Sequence, residues 1–186
     1  MFKSLSIIII SIFFTYAVFA AGGSGGQSGS DGSSGGGEGG GLSKYEKGYN
    51  YVMTGKSLEK KANKYLKLGK NKKAEKRFKK SKNNYEKAFK LFLKSNKEKP
   101  NDPDTLNYLG FTSRKLGDFK SAEDYYLSGL KIKPNHNGIN EYLGELYLST
   151  DRKDKALERL KVLRNCNCDE YIELKELIEG KRESKY

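Results

Sequence analysis

A spacing of 34 residues recurs along the chain and constrains the fold more than any other feature of the sequence. Alanine, a leucine–glycine pair, a large apolar residue and proline each return at this step. The matching positions are Ala88, Ala122 and Ala156; Leu109 and Leu143; Gly110 and Gly144; Phe92, Tyr126 and Leu160; and Pro100 and Pro134, with Cys168 at the next step. A period of about 20 to 50 residues is typical of proteins whose stacked units share one core.

Each unit is predicted to be an antiparallel pair of helices. Gly117 and Asp118 supply the turn between the two helices of one unit, and Asp151 and Arg152 occupy the same place in the next. Pro134 ends the second helix, because proline cannot continue the hydrogen-bond ladder. A helix pair of this size has an apolar face that only a neighbouring pair can cover, so the units must stack.

Two glycines fall in the middle of predicted helices, at Gly110 and Gly144. Glycine costs up to about 1 kcal/mol relative to alanine in such a position. We therefore expect these sites to let two helix backbones approach closely, with Ala122 and Ala156 in the facing positions.

Residues 103–136, PDTLNYLGFTSRKLGDFKSAEDYYLSGLKIKPNH, resemble a tetratricopeptide repeat. The family's Leu-Gly pair, small residue, aromatic residue and closing proline stand at Leu109 and Gly110, Ala122, Tyr126 and Pro134. Residues 137–168 follow the same pattern. The resemblance implies an all-α fold, a tetratricopeptide-like right-handed stack of antiparallel helix pairs. A C-terminal capping helix is predicted over residues 169–183, with Asp169 as its cap and Ile172, Leu177 and Ile178 as its apolar anchors.

Upstream, residues 69–102 are predicted to be a degenerate repeat, because its second half matches the pattern and its first half is mostly lysine. We favour a break at Asn83 and Asn84. The alternative is one long helix over residues 71–97, since an apolar stripe runs through it in steps of four and three. Residues 44–68 form an N-terminal helix region, with a helix from Lys56 to Leu68 and Gly69 as its stop.

Two segments precede this domain, which is predicted to span residues 44–186. Residues 1–20 have a lysine, an apolar run and small residues at the end, the pattern of a cleaved signal peptide. Residues 21–43 hold 12 of the 21 glycines and are predicted to be a disordered Gly/Ser-rich linker. The expected location is the bacterial periplasm; the alternative is anchorage to the inner membrane by an uncleaved N-terminal helix.

Residues 105–180 also resemble a group of small exported bacterial tetratricopeptide proteins. The shared runs are "LNYLGFTSRKLG", "EYLGELYL" and a pair of cysteines followed by "DEY". This resemblance implies the repeat fold and export. It implies no biochemical role, because the group has none established.

Few residues are suited to catalysis or metal binding. His136 is the only histidine, and a lone histidine in a link is expected to be a solvated turn residue. No phosphate-binding glycine loop and no nucleophile with a base and an orienting group is evident. We therefore predict a protein that is not an enzyme and has no cofactor or structural metal.

Cys166 and Cys168 are the only cysteines, and they are one residue apart. In an oxidising compartment we expect a disulfide between them that fixes the turn into the last helix. Pairing between two molecules is a second interpretation. A third is a Cu(I) or redox role, because two thiolates can hold Cu(I) linearly.

The leading functional hypothesis is a scaffold that binds a segment of another protein, as yet unidentified, on the concave face of its repeats. In the family's geometry the inward positions are Asn107, Phe111, Arg114, Lys115, Glu141, Glu145 and Leu148. Basic and acidic side chains occur together in this set, which suits a ligand of mixed charge.

The alternative hypothesis rests on charge. Residues 44–99 contain 20 Lys/Arg and 5 Glu, whereas residues 101–186 contain 15 Lys/Arg and 16 Asp/Glu. A basic block of this kind attracts an anionic membrane surface or polymer, and nucleic acid is the least favoured partner for an exported chain. The lysines could equally be solvated helix faces. The proposed basic patch comprises Lys64, Lys67, Lys72, Lys73, Lys76, Arg77, Lys79 and Lys80.

Overall fold

The structure, a computed structural model, describes residues 41–181. The predicted signal peptide, residues 1–20, and nearly all of the predicted linker, residues 21–43, lie outside the described residues. Residues 41–181 form seven helices: α1 (Lys44–Lys67), α2 (Asn71–Glu98), α3 (Pro103–Lys115), α4 (Phe119–Ile132), α5 (Asn137–Ser149), α6 (Lys153–Leu163) and α7 (Asp169–Ile178). None of these helices combines the length and the apolar character needed to cross a membrane.

Consecutive helices pack in pairs: α1 with α2, α3 with α4, and α5 with α6; α7 packs on α5 and α6. One buried cluster joins α1, α2 and α3 around Phe92 and Leu109, and a second joins α4, α5 and α6 around Tyr126 and Leu143. The prediction of an all-α stack of antiparallel helix pairs is confirmed.

The same backbone turn joins the two helices of every pair. In the first pair, Gly69 N–H donates to the carbonyl of Leu66 and Lys70 N–H to that of Tyr65, both at 2.9 Å. This is the Schellman arrangement, which needs a left-handed residue after the helix. The left-handed residues are Gly69, Gly117 and Asp151, with φ of 66°, 91° and 58°.

Helix α2 is continuous, so the predicted break at Asn83 and Asn84 is wrong. Asn84 remains helical and its side-chain amide donates to the carbonyl of Lys80 at 2.7 Å. The apolar stripe keeps one face of α2 against α1 along its length, and this packing outweighs the weak helix preference of asparagine. The first helix pair is therefore α1 with α2, and no pair forms within residues 69–102. Helix α1 also begins at Lys44, well before the predicted Lys56.

The pair formed by α1 and α2, called the long hairpin below, is extended by equal amounts in both helices. From Gly48 to the C-cap Leu68 there are 20 residues, whereas from Gly110 to the equivalent Leu116 there are 6. From the N-cap Lys70 to Phe92 there are 22 residues, whereas from Asp118 to Tyr126 there are 8. Between the glycine–aromatic contact and the turn, each helix of the long hairpin is thus 14 residues longer, which is about 21 Å at a rise of 1.5 Å per residue.

Small residues at intervals of seven line the contact between α1 and α2. The Ser81 hydroxyl donates to the carbonyl of Gly55 at 2.8 Å across this contact. An interval of seven keeps the same side of each helix against its partner, as in a coiled coil. The buried small residues are Gly48, Gly55 and Ala62 on α1 and Ala74, Ser81 and Ala88 on α2.

Glycine inside the helices makes room for side chains, which corrects the prediction of close backbone approach. A Cβ on Gly110 would lie 2.4 Å from Cε1 of Tyr126, and a Cβ on Gly144 would lie 2.6 Å from Cδ2 of Leu174. In the long hairpin, Gly48 faces the ring of Phe92 in the same way, at 2.9 Å.

Helix α7 is shorter than the predicted residues 169–183 and ends at Ile178, before the left-handed Gly180. Its N-cap is Cys168, not Asp169. The buried contact is made by Leu174, which the sequence prediction did not select, whereas the predicted anchor Ile172 is 53% exposed. Leu174 fills the space over Gly144 of α5.

Candidate functional site

The first helices of the three pairs, α1, α3 and α5, carry a set of charged and aromatic side chains that contact one another. Arg114 on α3 donates from Nη2 to Oε2 of Glu145 on α5 at 2.7 Å. Lys115 on α3 pairs with Oε2 of Glu59 on α1, also at 2.7 Å. These ion pairs connect all three helices, and we call the surface that carries them the inner face.

Aromatic rings fill the space between the charged groups. The Lys56 ammonium lies 4.7 Å from the ring centroid of Phe111 and donates to the Tyr142 hydroxyl at 3.1 Å. The rings of Phe111 and Tyr142 are 5.3 Å apart, and Phe111 also packs edge-on against Tyr85 at 5.8 Å. Cation–π contacts of this kind contribute most where water is excluded.

Burial shifts the titration of two groups on the inner face. The pKa of the Lys115 ammonium is lowered by burial, and the charge of Glu59 opposes this shift. The pKa of the Tyr142 hydroxyl is raised, first by burial and then by the nearby carboxylate of Glu141. Tyr142 therefore remains a neutral hydrogen-bonding group at physiological pH.

All seven predicted inward residues lie on α3 or α5, and the structure joins only some of them directly. Arg114 and Glu145 form one ion pair, and Phe111 lies beside them under Lys56. Asn107 is nearly buried, with its side-chain amide against Gly138 at the start of α5. Leu148 is half-buried and packs against the cluster of α4, α5 and α6. Glu141 is buried near Tyr142.

Sequence reasoning missed three members of the inner face: Lys56, Glu59 and Tyr142. The first two were missed because α1 was not recognised as the first helix of a pair. The seven-residue spacing of Gly48, Gly55 and Ala62 could have revealed that pairing. Tyr142 was missed because it is not one of the family's inward positions.

His136 is a structural residue, which corrects the expectation of a solvated turn histidine. It is the N-cap of α5 and is 8% exposed. Its Nδ1 accepts a hydrogen bond from Ile139 N–H at 3.2 Å, so Nε2 carries the proton and donates to Asp104 Oδ1 at 3.0 Å. This bond lowers the pKa of the Asp104 carboxyl.

The eight residues of the proposed basic patch all lie on the distal half of the long hairpin. Lys64 and Lys67 are in the last turns of α1, and the other six are in the first ten residues of α2. All are exposed except Arg77, which is half-buried. None takes part in an ion pair within residues 41–181.

Cys166 and Cys168 are joined by a disulfide between α6 and α7, with Cα atoms 5.2 Å apart. Asn167 between them has a left-handed φ of 48°, which bends the chain enough to bring the two sulfurs together. A disulfide has no thiolate to hold Cu(I). In the described part of the chain, no group of three or more His, Cys, Asp or Glu side chains is arranged to bind a metal.

Comparison with known proteins bears on the repeats. Residues 104–136 match a family model described as "Tetratricopeptide repeat". Among solved structures, 35 chains match. One, titled "First TPR of Spaghetti (RPAP3) bound to HSP90 peptide SRMEEVD", has 18% sequence identity and a TM-score of 0.46, over 70% of this chain and 94% of that chain. No curated protein matches significantly.

Proposed function

Because the chain contains a tetratricopeptide repeat, a module that generally mediates protein–protein interaction, we propose that it is a non-catalytic scaffold that binds a segment of another protein along its inner face. The observation that supports this most directly is the set of cross-helix ion pairs, Arg114 with Glu145 and Lys115 with Glu59.

Stability alone does not account for these charges. Taking an ion pair out of water costs about as much as the attraction returns, so apolar side chains of similar volume would hold the helices together at least as well. Charged groups placed in fixed positions by neighbouring rings do, however, select among ligands. The side chains of Arg114 and Glu145 are 2% and 0% exposed, so a partner segment that carries acidic and basic side chains would contact the Lys115–Glu59 pair, whose side chains are 7% and 21% exposed.

The experiment compares two faces of the same molecule. A photo-cross-linking residue replaces Leu148 on α5 in one variant and Leu127 on α4, which is exposed on a second helix, in the other. We expect the Leu148 variant to cross-link a defined partner in cells, which mass spectrometry identifies, and the Leu127 variant not to. Equal cross-linking of that partner from both positions would exclude the inner face.

Charge reversal then tests the chemistry. Lys115→Glu should release the cross-linked partner, because it places an acidic group beside Glu59. Lys120→Glu changes the net charge equally at an exposed site on α4 and should retain it. Thermal unfolding of both variants checks that the stack is intact.

The proposal includes export. It is supported by the signal-like sequence of residues 1–20 and by the disulfide, since disulfides persist in oxidising compartments and are rare in the cytosol. Fractionation with sequencing of the mature N-terminus separates the two locations. A chain starting at Ala21 in the periplasm supports cleavage. Recovery of Met1 in the inner membrane supports anchorage, and recovery from the cytoplasm refutes export.

A further inference from the structure

The end of the long hairpin, residues 60–74, carries a concentrated positive charge. Seven lysines and no acidic residue lie between Glu59 and Glu75. We call this segment the tip. Its lysines form no ion pair within the described residues, so their charges remain available to a ligand.

Two leucines are exposed among these lysines. Leu66 is 41% exposed and Leu68 is 56% exposed. Leu68 occupies the C-cap position that Leu116 occupies in the pair of α3 and α4, and Leu116 packs against the core. The same turn therefore holds its leucine half-buried against the core in the short pair and leaves it exposed in the long one.

The tip stands clear of the rest of the stack. Lys115, at the end of α3, contacts Glu59 on α1, and the tip begins one residue beyond that contact. Lys115 contacts the first helix pair at Glu59 and at the ring of Tyr85, and both of these residues lie outside the tip. A flat surface could therefore meet the tip without touching the stack.

The start of α2 adds to the positive field at the tip. Its N-cap is Lys70, which makes no side-chain cap, and the first turn has no acidic residue. Lysines at a helix N-terminus are unfavourable because that end of the helix dipole is already positive. An external anion bound near Lys70, Lys72 and Lys73 would relieve this repulsion.

We infer that the tip docks on the surface of an anionic lipid bilayer, with its lysines at the headgroup phosphates and Leu66 and Leu68 inserted at the boundary between the headgroups and the acyl chains. This goes beyond the proposed function, since it uses a different part of the molecule. A soluble polyanion would use the lysines but would gain nothing from two exposed leucines. A bilayer offers both an acidic layer and an apolar layer, which match the two kinds of side chain exposed at the tip.

The sequence has no tryptophan, so one introduced at the tip reports on that site alone. The full chain with Leu68→Trp is titrated with vesicles of equal parts phosphatidylglycerol and phosphatidylcholine. We expect a blue-shifted emission that brominated lipid quenches, and that weakens as salt screens the lysines. Leu157→Trp, at an exposed site on α6, is the control and should show neither change. Vesicles of pure phosphatidylcholine should leave the Leu68→Trp emission unshifted.

A charge-matched pair of variants in the Leu68→Trp background tests the lysines. Replacing Lys64, Lys67, Lys72 and Lys73 by glutamine should weaken insertion at least about 100-fold, since each lysine near an anionic surface contributes about 1 kcal/mol. The same replacement at Lys79, Lys80, Lys82 and Lys90, which are exposed on α2 beyond the tip, should weaken it far less. Unchanged helicity confirms that each variant is folded.

Two results would overturn the inference. One is an unshifted Leu68→Trp emission with anionic vesicles. The other is polyphosphate binding that is lost when the tip lysines are replaced but unaffected by the double variant Leu66→Ser, Leu68→Ser, while co-sedimentation of that double variant with anionic vesicles also equals that of the wild type. That outcome would assign the tip to a soluble polyanion.

Discussion

The long hairpin and the pair of α3 and α4 have the same turn and the same glycine-to-aromatic contact, yet the distance along each helix from that contact to the turn differs by 14 residues. The short pair packs against a neighbouring pair on each side, through α3 on α2 and through α3 and α4 on α5. In the long hairpin, contacts with the neighbouring pair extend to Glu59 on α1 and Tyr85 on α2. Farther out, small residues such as Ala62 and Ala74 line the contact between the two helices. A repeat can therefore be lengthened outside the stack without disturbing it, but the added part must be held together by its own two helices.

The largest expected effect tests whether the glycine–aromatic contact contributes equally to the stability of the two pairs. Tyr126→Ala and Phe92→Ala should each lower the free energy of unfolding by about 4 kcal/mol, since each empties a fully buried site over a glycine. Urea denaturation measures both, with the half-buried Tyr125→Ala as a control that costs much less. A loss from Phe92→Ala below about half that from Tyr126→Ala would break the equivalence.

The next effect concerns the part of the long hairpin outside the stack. Amide hydrogens of residues 60–80 should exchange more than about tenfold faster than those of α3 and α5. Local unfolding of this outer part of the long hairpin exposes little apolar surface, because its two helices contact each other through small residues such as alanine. Hydrogen exchange with mass spectrometry resolves these segments. Equal protection of residues 60–80 and of α3 and α5 would mean that the outer part of the long hairpin unfolds together with the stack.

A smaller effect comes from the turn, where Asp118 caps α4 and the equivalent Lys70 leaves α2 without a side-chain cap. Lys70→Asp should stabilise the protein by about 1 kcal/mol, by adding a cap and favouring the helix dipole. Asp118→Lys should destabilise it by a similar amount. Thermal unfolding of both variants measures the difference. If Lys70→Asp left stability unchanged, the N–H groups at the start of α2 would not need a side-chain cap.

The smallest effect is the pH dependence of the Asp118 cap. Hydrogen bonds from the Ser121 side chain and backbone lower the pKa of the Asp118 carboxyl below its ordinary value of 3.8. As pH falls, the unfolded chain takes up this proton first, so the contribution of the cap is present above pH 3.8 and is lost as pH falls through the folded pKa. The stability difference between wild type and Asp118→Ala should therefore shrink below about pH 4. A difference that stays constant to pH 2 would contradict this.

How far the sequence alone determined the fold differs between the two regions. Residues 103–168 were predictable because local features, such as Gly117 before Asp118, agree with the 34-residue period. The long hairpin was misjudged because that period was extended into a region governed by a period of seven. Asn83 and Asn84 suggested a break, but their weak preference is small beside the packing of Tyr85, Ala88 and Phe92 against α1.

The inner face was predictable only within the recognised repeats. Arg114 and Glu145 were selected from their positions, but a sequence does not show that they contact each other across two helices. Lys56 and Glu59 depend on the pairing of α1, which was not known. His136 was misjudged because its hydrogen-bond partner Asp104 lies in the preceding repeat, 32 residues away.

The intervals of seven in α1 and α2 limit how this protein can vary in length. Adding or removing residues in one helix alone would slide its small residues out of register with those of the other. Removing seven from both keeps Gly48 under Phe92 and moves the turn by about 10 Å. The length of the long hairpin can therefore change only in steps of seven residues in both helices. Related chains should place their turn nearer to or farther from the stack by multiples of about 10 Å.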